Sequence, residues 1–171
     1  MSAQNPKELF VQLLSGLRQG TEKSTKMYQE ISKFAEDPDV KEALEARAFV
    51  SEKVLATLDQ CFKLIGQEPA KVSSRLHDIF VEDFRKELAE IQNPGAKHMF
   101  ILVKAIHLTH LRIAEYAALV AAADVTGHYG VGVLLESCLA DKLAFVERTR
   151  RMIRKVVEVK MAKKTAERVA A

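Results

Sequence analysis

From residue 10 onward, apolar side chains recur every three or four positions, the spacing that gathers them on one helix face. The first stripe reads Phe10, Leu14, Leu17, Thr21, Tyr28, Ile31. Asn5-Pro6 offers it a cap and a first-turn proline, and Asp37-Pro38 ends it and opens a second helix. The second stripe, Val40, Leu44, Arg47, Ser51, Val54, Leu58, Phe62, Ile65, stops at Gly66. A shorter helix from Ser74 to Ile91 places Leu76, Ile79, Phe80, Phe84, Leu88 and Ile91 on one side, and Asn93-Pro94-Gly95 closes it. The next helix covers Ala96 to Val125, with Leu102, Ile106, Thr109, Ile113, Tyr116 and Val120 inside. After a turn within Thr126–Gly130, a last helix runs from Val131 to at least Val159. Its stripe is Leu135, Cys138, Asp141, Phe145, Ile153, Val156.

Four of these segments are each about 40 Å long at 1.5 Å per residue. Short connections between them make neighbours antiparallel, so the pattern predicts an all-α, antiparallel four-helix bundle. The shorter helix lies between the second and third long ones and lets the chain cross over. Residues 1–160 form one domain. The pattern weakens after Lys160, so 161–171 is expected to be a basic, fraying tail.

Composition agrees. Hydrophobic residues are 48% and charged residues 29% of 171, and only 7 Gly and 4 Pro occur. This is a globular balance with too few turn formers for a β-sandwich. No apolar run spans a membrane and the first residues lack a secretory pattern, so a cytoplasmic protein is expected. Cys61 and Cys138 lack metal or redox spacing and read as small buried hydrophobes under reducing conditions, with a disulfide or reactive thiol as the alternative. The net charge is +3, but residues 142–171 hold 10 Lys/Arg against 3 Asp/Glu, or +7, leaving −4 elsewhere. Such an end suits a helix C-terminus, and it is also the one segment with the charge to meet nucleic acid.

The stripes carry polar residues at similar depth: Thr21, Arg47, Thr109 with Arg112, and Asp141. In alternating helices these meet near mid-bundle, where ferritin-like proteins hold two metals. The segments KELFVQLLSGL, EDPDVKEALEA, LDQCFKLIG, RIAEYAALVAAA and LLESCLADK, in this order and spacing, resemble the bacterial ferritin-like YciE/YciF family (DUF892), which is associated with stress responses. The resemblance covers about residues 7–155. It implies metal ligands that this chain lacks. The family's helix-one glutamate falls on Thr21, its HxxE on Arg47 and Val50, its ExxE on Thr109 and Arg112, and its paired glutamates on Asp141 and Lys142. Two guanidinium groups where a cation would sit oppose metal binding.

The expectation is therefore a metal-free layer in which Arg47 or Arg112 pairs with Asp141 and the spare guanidinium turns to Glu22, Glu115 or solvent. In a variant, the two Arg, two Thr and His110 bind a small anion. The opposing reading is an iron- or manganese-dependent oxidoreductase or storage protein with a site rebuilt from Glu22, His110, Glu115, Glu136 and Asp141. His107 and His110 have HxxH spacing but no companion ligands in sequence, and His77, His98 and His128 read as surface or turn residues. Tyr116 reads as packing. No GxSxG elbow occurs, and GHYGVG at 127–132 follows a helix rather than a strand, so it is not a phosphate loop. No intact catalytic motif is present. Such bundles dimerise through apolar faces, and the shorter helix with Phe80 and Phe84 is the candidate surface for a homodimer.

Overall fold

The computed structural model describes residues 3–72 and 75–169, apart from the side chains of residues 156 and 159–169. The described residues form five helices: α1 Pro6–Phe34, α2 Pro38–Ile65, α3 Arg75–Glu90, α4 Pro94–Thr126 and α5 Tyr129–Val169. The three Pro-led helices start where the sequence places their caps. Asn5 accepts from the Glu8 amide, Asp37 from those of Asp39 and Val40, and Asn93 from that of Ala96. Gly66 and Gly127 end α2 and α4 in the left-handed conformation, with φ of 64° and 79°. The backbone of α5 stays helical beyond Lys160, because no Gly or Pro follows Gly132 to stop it.

The long helices form a ring in the order α1, α2, α5, α4. Polar pairs give their directions. Arg18 with Asp59 and Gln29 with Glu52 set α2 antiparallel to α1, and Arg148 with Glu42 and Lys155 with Asp39 do the same for α5 and α2. The second and fourth helices are thus parallel and diagonal, and no short loop can join them. Helix α3 makes the return. It lies against α1 and α4 and runs parallel to α1, tied by Lys23 to Asp78 and by Arg85 to Glu30.

The inward face of α3 keeps Phe84 and Leu88 of the expected stripe but is rotated towards His77. Leu76 and Ile79 are exposed, whereas His77, Phe84 and Leu88 are buried. Phe84 is buried and stacks on Phe100 at 5.7 Å, so it faces the chain's own core, while Phe80 is half-buried at the edge of that core. The two phenylalanines have large apolar areas and set the rotation of the helix.

The core has two apolar compartments. One gathers Phe10, Leu14, Leu58, Phe62, Leu119 and Leu135, with both cysteines. The other gathers Tyr28, Ile31, Leu44, Leu102, Leu108 and Phe145. Between them lies a polar layer.

Candidate functional site

The layer contains Thr21 and Tyr28 from α1, Arg47 and Ser51 from α2, and Thr109, Arg112 and Tyr116 from α4. Lys142 comes from α5. None is more than 4% exposed. Of the positions the resemblance singles out, Thr21, Arg47, Thr109, Arg112 and Lys142 are in place and Val50 is half-buried.

Asp141 is not in the layer. It is exposed, and its neighbour Lys142 is the buried residue, at 1%. The inward positions of α5 run Leu135, Cys138, Lys142, Phe145, a step of four where the sequence reading took three. Adjacent residues differ by about 100° around a helix, so this one step moves the carboxylate out and the amine in. The expected pairing of Arg47 or Arg112 with Asp141 does not form.

Arg112 is held by other groups. It forms an ion pair with Glu115 one turn on, and its Nη2 donates to the Leu17 carbonyl oxygen and, at 2.6 Å, to Thr21 Oγ1. The guanidinium lies against α1 at Gly20, where a Cβ would collide with Nη1 and stand 2.8 Å from His77 Cε1. Glycine is required there for a close approach. His77 is 4% exposed, and its Nε2 has no hydrogen-bond partner. Burial, with Arg112 and Lys23 nearby, pushes its pKa down to about 4. His77 is therefore not the surface or turn residue expected from the sequence. It is instead the plug that α3 sets over Arg112.

Among the described residues Arg47 has no carboxylate partner. Its Cζ lies 5.6 Å from the Tyr28 ring centroid and 5.4 Å from that of Phe145, between two aromatic groups, and its Nε is buried without a partner. Lys142 Nζ lies 4.1 Å from the Tyr116 centroid. Burial, then Arg47 and Arg112, bring its pKa down to about 7. Tyr28 and Thr109 share a 2.8 Å hydrogen bond, and the Tyr116 hydroxyl, raised to about 12 by burial, meets Thr21 Oγ1 at 3.5 Å. Burial outweighs the attraction of Arg112 and Lys142 on Glu115 and holds its carboxyl above the ordinary value.

The rebuilt ligand set does not converge. Glu22 pairs with Lys26 at 3.0 Å on the outside of α1, and His110, Glu136 and Asp141 are exposed. His107 is exposed as well. Among the described residues no group of three or more His, Cys, Asp or Glu side chains could hold a metal ion. The layer's own groups, two threonine hydroxyls beside two guanidinium groups and a lysine amine, do not fit iron or manganese. His110 also lies outside any anion site built on the two arginines. Cys61 and Cys138 are both buried and free, with thiol pKa values raised by burial, that of Cys61 to about 12. Part of the basic C-terminal charge is used internally. Arg148, Arg150 and Lys155 pair with Glu42, Glu147 and Asp39, and Lys142 is inside. No helix among the described residues is long and apolar enough to cross a membrane.

A family model described as a domain of unknown function, DUF892, matches residues 5–162. The chain belongs to the DUF892 family. Solved structures share this fold. The Escherichia coli stress protein YciF is 16% identical, with a TM-score of 0.86 over 91% of this chain and 99% of that one. YcfI from Rhodopseudomonas palustris is 24% identical, with a TM-score of 0.83 over 86% and 94%. A protein from Xanthomonas campestris is 16% identical, with a TM-score of 0.72 over 94% and 99%. No curated protein matches the sequence. At these identities the structural likeness establishes the ferritin-like bundle of this DUF892 chain.

Proposed function

We propose that this DUF892 chain is a stress-associated, YciF-like bundle that has no di-metal centre, is not an enzyme, and acts in the cytoplasm by associating with itself or a protein partner. One observation carries the reading: Arg112 is bonded into the backbone of α1 at mid-bundle, with Lys142 and Arg47 filling the rest of the layer. A cation brought there would meet two guanidinium groups and displace hydrogen bonds that hold two helices in register. The stress association follows from the likeness to YciF. Two buried free thiols suit a reducing compartment. Self-association draws on apolar side chains left outside, among them Phe49 at 57%, Val133 at 66% and Leu143 at 49% exposed.

The test is elemental analysis of untagged protein from cells grown with added iron and manganese, with its mass measured in solution. Protein without stoichiometric metal, running as a dimer or retaining a defined protein partner, fits the reading. Near-stoichiometric iron or manganese bound between the helices would overturn it.

A further inference from the structure

Among the described residues the layer holds more buried cationic than anionic side chains. Arg47, Arg112 and Lys142 are 4%, 1% and 1% exposed, and the anion paired within this group is Glu115, on Arg112. Arg47 Nε is buried without a hydrogen-bond partner, and among the described residues neither Arg47 nor Lys142 forms an ion pair; their cationic groups lie against aromatic rings instead. With Lys142 as the free amine the set carries one positive charge in excess, and with Lys142 protonated it carries two. Uncompensated buried charge is costly, so an additional anion is favoured here.

We infer that the Lys142 amine is a site of reversible carbamylation by carbon dioxide, with the carbamate facing the guanidinium groups of Arg47 and Arg112. The chemistry is balanced without a redox partner. The Nζ lone pair attacks the carbon, an N–C bond forms, one C=O π pair moves onto oxygen, and Nζ releases one proton to solvent. The product is a carboxylate-like anion, so the four groups then sum to zero. Guanidinium is the side chain best suited to it.

Geometry favours carbon dioxide over a ready-made anion. Arg112 Cζ and Lys142 Nζ both lie over the Tyr116 ring, at 5.9 Å and 4.1 Å from its centroid. Arg47 stands beside Phe145, one turn from Lys142. Side chains this deeply buried keep out a hydrated phosphate or organic acid, whose desolvation is costly. A small neutral molecule enters without that cost and acquires its charge inside. Burial beside two guanidiniums also favours the unprotonated amine that the reaction needs. The inference is independent of whether the bundle works through a partner.

The test uses the full chain equilibrated with carbon-13 bicarbonate at mildly alkaline pH, trapped with an alkylating oxonium salt and mapped by peptide mass spectrometry. The expected result is a labelled ester of a carbamate on Lys142, absent after carbon dioxide is removed. In Arg47→Met the yield falls by about tenfold or more, the loss expected for one charge-assisted hydrogen bond. A second measurement does not rely on that variant folding: bicarbonate raises the melting temperature of the wild type and leaves that of Lys142→Met unchanged. Label confined to surface lysines, an undiminished yield in folded Arg47→Met, or equal thermal responses of wild type and Lys142→Met would each overturn the inference.

Discussion

Arg112 on α4 donates to Thr21 Oγ1 on α1 at 2.6 Å and to the Leu17 carbonyl oxygen one turn earlier. A single side chain thereby fixes the register of two antiparallel helices. The carbonyl that it uses also accepts the Thr21 hydroxyl at 2.9 Å.

That relationship depends on Gly20. Gly20→Ala places a methyl group against the guanidinium and His77, which must then shift. Overpacking of this kind costs roughly 1–3 kcal/mol. Urea unfolding should show a lower midpoint with an unchanged slope. Gly16→Ala, where a Cβ meets nothing within 4 Å, should be neutral or stabilising.

Glu115 is the carboxylate on Arg112, and its side chain is a third exposed. Glu115→Ala should cost about 1–3 kcal/mol by leaving the guanidinium with neutral acceptors, and Glu115→Gln should cost less. In a double-mutant cycle, Glu115→Ala should lose most of its effect once Arg112 is Met. Additive costs would show that the pair is not coupled.

Lys142 has the opposite sign of effect from a surface lysine. Its folded pKa of about 7 is below the ordinary 10.5, so the unfolded chain binds more protons between these values. Stability contributed through Lys142 therefore rises with pH from about 7 to about 10 and is lowest, and flat, below 7. Arg47, Arg112, Glu115, Cys138 and Asp141 are the charged or titrating groups around it. Lys142→Met, compared with wild type in buffer free of carbon dioxide, should be more stable at pH 7 by a few kcal/mol. The gap should narrow towards pH 10.

His77 gives a separate response in acid. Its folded pKa of about 4 is below the usual 6.5, so the unfolded chain takes up the proton first as pH falls. Stability drops by about 2–3 kcal/mol between pH 6.5 and 4 on this account. Arg112, Lys23 and Asp78 are the charged groups that act on it. In His77→Leu, thermal melts over this range should lose that component of the slope.

Much of the fold was legible because local and global signals agreed. The caps at Asn5, Asp37 and Asn93 stand directly before prolines, and the α1 and α2 stripes are buried as spaced, with Ile65 half-buried. The layer was visible as polar breaks in apolar stripes. What failed was rotation about single helices. An apolar pattern gives no reason to choose Lys142 over Asp141 for the interior, and the carboxylate looked the better partner for an arginine. In α3, Leu76 and Ile79 match an apolar stripe as well as the true face does, and contacts from Phe84 to Phe100 decide between them. His77 carried no sequence signal, since its burial is imposed by a neighbouring helix.

The polar layer has a mechanical consequence as well as a chemical one. Leu58 and Leu44 lie in compartments separated by a layer of buried polar side chains. A void cut at one does not soften the packing around the other, so damage in the two halves accumulates independently. The helices themselves, and the few groups that brace them at mid-height, are the route by which one end of the bundle senses the other.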